Sequence, residues 1–270
     1  PDRSVLEAMQ RLPGVSIERF AAANDPDHFS VEGSGAVIRG MSATRSEFNG
    51  RDSFTADSGR GLSFQDVPPE LMSGVDVYKN QSADMIEGGI GGTVSLPTPK
   101  PLDSGVRMVA FSVDGTWGDI AEEWKPSFSG LFSDRWETSA GEFGFLINAA
   151  HSELVGVSHG IQSDVYKKYD AKNIAGAENF VGADGKGTVW MPQGANLMMK
   201  EDQREREGLT TSFQWQDTDS KYLFTAEYIR SDATLNWWEN ALKYQGGYKE
   251  SDRNTRPYGD TAFSFSDDGL

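Results

Sequence analysis

The stretch EGGIGGTVSLPTPKP, residues 87–101, decides how this chain is organised. It holds four glycines within five residues, then a run with β-branched residues, then three prolines in alternation. Glycine allows backbone conformations with φ > 0, or a very close approach of another backbone. Proline fixes φ and biases the residue before it toward extended geometry. The stretch therefore predicts a junction between two differently built regions, in which a strand leads into a stiff extended connector.

Composition narrows the class of protein. The 270 residues carry a net charge of −16, and 37% of them are hydrophobic, with a mean hydropathy of −0.52. Aromatic residues nevertheless reach 11%, which is typical of half-exposed β-structure rather than of a disordered polymer. The negative charge argues against nucleic acid as a partner, because phosphate binding needs clustered Lys and Arg. The absence of cysteine excludes disulfides and thiolate metal sites.

The first hundred residues predict a small α+β domain. Residues 3–12 place apolar side chains on one face of a helix, which Pro13 and Gly14 end. Short strands are predicted at 14–17, 36–41 and 74–79, helical turns at 68–72 and 82–89, and exposed loops at 20–34 and 52–61.

Residues 102–270 show the period of two that indicates amphipathic strands. Val109, Phe111 and Val113, for example, alternate with Ser112 and Asp114. Five such strands are predicted at 106–117, 127–136, 143–151, 209–216 and 221–231. Strands of about ten residues cross a membrane when tilted, and short turns that alternate with a long loop, here 155–207, are typical of outer-membrane barrels. A soluble antiparallel sheet with one buried face is the alternative.

The order of short motifs resembles the plug domain of TonB-dependent outer-membrane receptors. LPGVSI, IRGM, NGR, PPEL, VDVYK and SADMIEGGIGGTVSLPTPKP follow one another as they do in that domain. The resemblance implies an α+β plug domain over residues 1–101, followed by antiparallel transmembrane β-barrel strands over residues 102–270. It also implies a barrel of 22 strands. We therefore expect the chain to be a fragment of a longer protein, because an open sheet would leave unpaired edges in lipid.

The function that the resemblance implies is TonB-dependent, energised import of a scarce nutrient across the outer membrane of a Gram-negative bacterium. The plug would lie in the barrel lumen, and the long loops would be extracellular. The implied partners are TonB with its inner-membrane proton-driven motor, a small-molecule substrate, outer-membrane lipid and, as a further option, a surface lipoprotein.

The substrate stays open at this point. Residues 204–239 are similar to a subgroup linked to carbohydrate uptake, which favours an oligosaccharide. A ferric siderophore, another metal chelate or a vitamin is the alternative within the same family. A surface binding or adhesion barrel that is not energised is the alternative from another class.

Signatures of catalysis and of metal binding are missing from the sequence. His28, His151 and His159 show no metal-binding spacing, and NDPDHF at 24–29 lacks the pattern of a calcium loop. Glu122 and Glu123 are adjacent and cannot flank a glycosidic bond as that mechanism requires. We therefore expect no enzyme activity, no cofactor and no metal site.

Ligand-binding candidates are aromatic and polar residues in segments that the resemblance turns toward the outside, because flat rings pack against a ligand while polar groups orient it. They are Phe20, Asn24, Asp25, His28, Phe29, Arg51, Asp52, Phe54 and Arg60 in the first region, and Tyr166, Tyr169, Trp190, Trp237 and Trp238 in the second. The alternative for each candidate of the first region is an ordinary plug–barrel contact, and for the Trp pair it is an outer aromatic girdle.

Residues with a structural role between plug and barrel are predicted as a second group. They are Arg39, Gly40, Lys79, Gly88, Gly89, Gly91 and Gly92. Many members of the family carry a second Arg-Gly where this chain has Lys79 and Asn80, and its arginine pairs with barrel carboxylates. Lysine cannot reproduce a bidentate arginine contact, so we expect that ionic lock to be incomplete here.

Overall fold

The computed structural model describes residues 4–22, 25–52, 63–174, 176–183, 185–245, 264–267 and 269, without the side chains of residues 21, 22, 25–28 and 245. The chain forms two compact units, one of Pro1–Ser158 with Lys200–Trp238 and one of His159–Met199 with Glu239–Leu270. The predicted domains of 1–101 and 102–270 stay a prediction, and the first unit combines the N-terminal segment with long strands. The N-terminal segment packs directly on these strands.

The N-terminal segment has the mixed α+β character that its sequence predicts. Its described elements are α1 (Val5–Met9), β1 (Val15–Glu18), β2 (Phe20–Ala22), β3 (Asp25–Phe29), β4 (Gly35–Ile38), β5 (Thr44–Phe48), β6 (Arg51–Asp52), β7 (Asp76–Tyr78), β8 (Gly92–Leu96) and 3-10 turns at Phe64–Asp66 and Pro69–Leu71. The Ser4 hydroxyl caps α1 by accepting a hydrogen bond from the Glu7 N–H at 3.3 Å. Leu6, Ile38 and Leu96 are fully buried in the core between α1 and the strands.

Three small sheets make up this segment in the described residues. The largest has the strand order β6-β5-β8-β7, while β1 pairs with β4 and β2 with β3. The β2–β3 hairpin corrects the predicted loop at 20–34, since Phe20 lies opposite Phe29 across antiparallel strands. Residues 82–89 form turns and bends rather than helix. The predicted loop at 52–61 falls almost entirely outside the described residues.

Over the described part of the chain, no helix has the length and apolarity needed to cross a membrane.

The glycine-rich stretch has the geometry that its sequence predicts. Gly88 and Gly92 have φ angles of +125° and +147°. A Cβ on Gly92 would lie 2.6 Å from the carbonyl oxygen of Tyr78, and one on Gly91 would lie 3.1 Å from the chain just before β5. A Cβ on Gly89 would lie 2.5 Å from the Gly92 carbonyl oxygen. These close approaches join β8 to its neighbours within the N-terminal segment.

We expect Gly92→Ala to destabilise the N-terminal segment by about 1–3 kcal/mol, because a residue with a Cβ is strained at that φ. The added methyl group would also meet the Tyr78 carbonyl. Gly74→Ala is the matched control, since its Cβ would meet nothing within 4 Å. The urea midpoint for unfolding of the segment within the full protein is measured for both variants, with protease cleavage as the readout of unfolding. Equal unfolding midpoints would contradict the role assigned to Gly92.

The remaining described residues are dominated by strands. They are β9 (Met108–Gly118), β10 (Glu123–Thr138), β11 (Gly141–Ser163), β12 (Tyr166–Asp170), β13 (Thr188–Pro192), β14 (Gly194–Gln216) and β15 (Leu223–Gln245). All but β12 and β13 are long. Five of them form one open sheet in the order β15-β14-β11-β10-β9. The barrel of 22 strands stays a prediction.

The predicted loop at 155–207 is shorter than expected. β11 continues to Ser163 and β14 already begins at Gly194, so the connection covers only residues 164–193 and itself contains the β12–β13 hairpin. The start of β14 was missed because residues 200–207 carry polar and charged side chains on both faces. The end of β11 was missed although Val155, Val157 and Ile161 continue the apolar alternation there.

The long sheet has one face toward the N-terminal segment, which we call inward, and one face away from it, which we call outward. On β11 the outward side chains of Phe145 and Ile147 are exposed, whereas Leu146 and Asn148 between them are buried. Buried polar residues on β14 are Thr210, Ser212 and Gln214. Exposed apolar residues opposite buried polar ones are the reverse of a water-soluble sheet and typical of barrel strands in lipid.

The predicted orientations agree with this arrangement. The residues predicted to face outward are exposed: Val109, Phe111, Val113, Phe128 and Phe132. Gln214 is buried on the inward face, as predicted. Ser112 and Asp114, predicted to point toward the plug, are exposed as well, so exposure does not distinguish the two faces of the edge strand β9. Pairing does so, because Val109 lies opposite Phe132, which lies opposite Ile147 on the outward face.

Candidate functional site

A buried polar contact joins the N-terminal segment to the inward face of β14. Arg204 and Arg206 both lie on that face, because side chains two residues apart on a strand point the same way. The Glu32 carboxylate accepts a hydrogen bond from Arg206 and lies 3.4 Å from Nε of Arg204. The Asp66 carboxylate accepts from Arg204 at 2.7 Å. We call Glu32, Gln65, Asp66, Arg204 and Arg206 the inner-wall cluster.

Gln65 completes the hydrogen bonding of the two arginines. Its side-chain oxygen accepts from Arg204 at 2.9 Å, and its backbone carbonyl accepts from Arg204 at 3.2 Å and also from Arg206. The Ser30 hydroxyl donates to the same side-chain oxygen at 3.2 Å. Hydrogen bonds to charged groups are stronger than neutral ones, so this network offsets part of the cost of burying the charges.

Burial and the neighbouring arginines have opposite effects on the pKa of Glu32. Burial raises the pKa of its carboxyl group above the ordinary value, while the guanidinium groups of Arg206 and Arg204 oppose that rise. A buried ion pair of this kind is costly to break, because either partner alone is left as an uncompensated charge. Any movement of the N-terminal segment along β14 must therefore break or replace these contacts.

Further polar contacts continue along the inward face. The Glu227 carboxylate on β15 accepts hydrogen bonds from the Thr98 hydroxyl at 2.9 Å and from the Asn49 side chain at 3.3 Å. The Asn148 side chain on β11 donates to the Glu70 carbonyl at 2.8 Å. Two more such contacts join Leu102 to Gln214 and Ser231 to Asp66. The N-terminal segment is thus held by hydrogen bonds to three neighbouring strands.

Glycines on the inward face allow a close approach. A Cβ on Gly208 would overlap the side chain of Leu71. Two other inward glycines lie in the same way against the segment: Gly144 next to Pro101, and Gly156 next to Val31. The inward face of the sheet therefore leaves space for this segment at its glycines and binds the segment through its charged and polar side chains.

Comparison with known proteins identifies the N-terminal segment. Residues 1–93 match the family model of the TonB-dependent receptor plug domain. This segment is a TonB-dependent receptor plug domain. Such receptors are outer-membrane transporters rather than enzymes. A search of the curated proteins found no match to the chain. The similarity of residues 204–239 to a carbohydrate-linked subgroup stays a prediction.

Two predicted ligand-binding residues of the plug meet a third from the strands. The rings of Phe20 and Phe29 are stacked, with centroids 5.6 Å apart. Lys200 Nζ lies 3.4 Å from the Phe29 carbonyl oxygen and 5.4 Å from the centroid of the Trp237 ring. Lys200 therefore links Trp237 on β15 to the plug by a hydrogen bond and a cation–π contact. We call Phe20, Phe29, Lys200 and Trp237 the aromatic group.

Trp237 and Trp238 differ in orientation. They were expected after the fifth strand but lie within β15. Trp237 faces Lys200 on the inward side, so alternation along the strand turns Trp238 outward. Trp237 therefore fits the interpretation as a ligand-binding residue, and Trp238 fits the outer aromatic girdle.

Three other candidates lie on the β12–β13 hairpin of the second compact unit. The Tyr169 hydroxyl donates to the Gln193 side chain at 3.1 Å, and its ring packs against a small apolar core. Lys168 Nζ lies 5.8 Å from the centroid of the Trp190 ring, and Tyr166 pairs opposite Pro192. Tyr166 and Trp190 are exposed and Tyr169 is partly buried, and the role of all three as ligand-binding residues stays a prediction.

The structure describes only part of the remaining ligand-binding candidates of the plug. Arg51 and Asp52 are exposed on β6, and Asp52 forms an ion pair with Arg45 at 2.6 Å. Asn24, Phe54 and Arg60 lie outside the described residues, as do the side chains of Asp25 and His28.

The residues predicted to join plug and barrel make their described contacts inside the plug. Arg39 donates to the Asn80 side chain at 2.9 Å, and Lys79 donates to the Pro13 carbonyl. Gly40 has a φ of +78° in a turn with open space around it. The inner-wall cluster has the opposite polarity from the expected lock, with carboxylates on the plug and arginines on the strand.

Sequence reasoning missed the inner-wall cluster. Arg204 and Arg206 stand in the run REREG, which looks like a solvated charge run. The available signal was its period of two, which places both arginines on the face that carries Thr210 and Ser212. Glu32 and Gln65 had no such signal, because Glu32 lies outside the helices and strands and Gln65 in a single 3-10 turn.

Proposed function

We propose that this chain takes part in energised import across the outer membrane. Substrate binds from the outside, and a periplasmic TonB protein, driven by the inner-membrane proton gradient, pulls on the plug. The observation that carries the proposal is the inner-wall cluster between a plug domain and strands with apolar outward faces. A plug held mainly by hydrogen bonds and ion pairs can leave the wall without exposing a large apolar surface to water. We further propose that residues 1–101 act as the plug and residues 102–270 as barrel.

The need for an energy source distinguishes this proposal from the alternative, a binding or adhesion barrel whose plug does not move. We expect cells to bind labelled substrate with or without the proton gradient, and to take it up only with the gradient and with TonB present. A protonophore and a TonB deletion provide the two comparisons. Uptake that persists in both would contradict energised import, and binding without any uptake would favour the adhesion barrel.

For the substrate we propose an oligosaccharide. Support comes from the aromatic group, in which Phe29 and Trp237 are 36% and 50% exposed. Flat aromatic rings pack against sugar rings, while nearby polar groups orient them. Growth of a deletion strain on candidate oligosaccharides and in iron-limited medium tests this. A growth defect confined to iron limitation would favour a siderophore, and one cured by a vitamin would favour that class.

We expect Trp237→Ala to weaken oligosaccharide binding by about 2- to 10-fold, the range expected for one lost aromatic contact. Trp238→Ala is the matched control, because the neighbouring ring points outward and should leave affinity unchanged. Calorimetric titration of the purified receptor with the growth-supporting oligosaccharide gives both values. Equal losses in the two variants would contradict the assignment of the inward ring.

A further inference from the structure

A histidine and two glutamates meet on the outward face of β11 and β14. His151 Nδ1 lies 4.0 Å from Oε1 of Glu205 and 4.0 Å from Oε1 of Glu207. One candidate ligand atom from each of these residues lies within 4.8 Å of the other two. Ligands bound at about 2.0–2.2 Å to one zinc ion lie within about 4 Å of each other, so small side-chain adjustments suffice to hold an ion here.

The imidazole ring is held in the orientation that a metal ligand needs. Phe128 stacks on it with centroids 4.7 Å apart and an interplanar angle of 22°. His151 Nε2 lies 3.4 Å from the Glu153 carboxylate. When Nε2–H donates to Glu153, the lone pair is on Nδ1, toward Glu205 and Glu207. A carboxylate behind a metal-binding histidine fixes the tautomer in this way and makes the nitrogen a better ligand.

The position of the group leaves it accessible. The side chains of Glu205 and Glu207 are 56% and 67% exposed, so an ion can enter from outside and keep water ligands. Their neighbours Arg204 and Arg206 point inward and are used by the inner-wall cluster. The outward face of β14 becomes apolar beyond Glu207, beginning at Leu209. The carboxylates therefore lie at the edge of the apolar band and not within it.

We propose that His151, Glu205 and Glu207 bind one divalent transition-metal ion of the zinc class, with Glu153 as a positioning residue. One imidazole nitrogen and two carboxylate oxygens suit Zn²⁺, whereas Mg²⁺ and Ca²⁺ prefer oxygen ligands alone. The ion tethers β11 to β14 at the edge of the apolar band. The expectation of no metal site rested on spacing along the chain, and these ligands come together only through strand pairing.

The test is calorimetric titration of the full protein, without a histidine tag, with ZnCl₂ at neutral pH after removal of metal by a chelator. We expect one Zn²⁺ per chain, lost in His151→Ala and weakened at least 10-fold in Glu205→Gln. Glu153→Gln should weaken binding by about 10- to 100-fold with unchanged stoichiometry, because it acts through the histidine. His159→Ala is the matched control and should bind as the unchanged protein does. Zn²⁺ should also raise the unfolding temperature, but not in His151→Ala.

Each remaining outcome overturns the proposal. These outcomes are no saturable Zn²⁺ binding, binding unaffected by His151→Ala, and binding of Mg²⁺ or Ca²⁺ in preference to Zn²⁺. Heat-dependent gel migration checks that each variant is folded. Glu205→Gln keeps the shape of an exposed side chain, so its result stands even if His151→Ala folds poorly. None of these measurements depends on import.

Discussion

Glu32→Ala is expected to weaken the docking of the plug by about 3–5 kcal/mol, because it leaves Arg204 and Arg206 buried without their shared carboxylate. Glu87→Ala is the matched control, since it removes an exposed carboxylate from the plug. Urea unfolding of the plug within the detergent-solubilised full protein gives the difference. Cells that carry Glu32→Ala should also become more sensitive to a large antibiotic that the intact outer membrane excludes.

A double substitution shows whether the effect belongs to the ion pair. Replacing Glu32 and Arg206 together by methionine should cost less than replacing either alone, because no uncompensated charge then remains. Additive losses would show that the two side chains act independently. An unfolding midpoint for Glu32→Ala equal to that of Glu87→Ala would contradict the role of the inner-wall cluster.

Phe111→Arg is expected to impair assembly in the membrane by about 2–4 kcal/mol, the cost of a charge facing lipid near the middle of a barrel strand. Phe111 is 76% exposed on the outward face of β9, and its ring lies 3.9 Å from the position of a Cβ on Gly130 of β10. Ser112→Arg is the matched control, because the next residue along the strand points inward. There the new guanidinium group would find the carboxylate of Asp114 nearby.

The yield of folded protein in lipid vesicles, read from heat-dependent gel migration, compares the two variants. We expect a large loss for Phe111→Arg and a small one for Ser112→Arg. Equal yields would mean that the outward face does not contact lipid, and would favour the soluble sheet that the alternation alone left open.

Local signals predicted much of the fold. The residues that form α1, the strand β8 and the glycine turns before it were predicted, because capping, periodicity and glycine act over a few residues. The outward face was predicted at Phe111 and Phe128 for the same reason. The start of β14 was not, since the polar and charged residues at 200–207 occupy both faces and conceal a strand that continues by pairing.

The candidate site was less predictable because it depends on contacts between distant parts of the chain. Phe20, Phe29 and Trp237 were predicted as residue types, whereas the link through Lys200 required the fold. The same holds for Glu32, which meets Arg206 only after the plug has docked. In a sequence alone, a run of charged residues is interpreted as exposed to solvent. Only the fold shows that the two faces of such a strand contact different neighbours.

The alternation of Arg204, Glu205, Arg206 and Glu207 has a consequence for how β14 is set beside its neighbours. A slip of one residue would exchange the two faces of the strand. Glutamates would then meet the Glu32 carboxylate inside, and arginines would take the place of the carboxylates beside His151. Apolar strands tolerate such slips poorly because of burial, and here like charge adds to the penalty. The charges of the REREG run therefore stabilise one register of β14 and destabilise the registers shifted by one residue.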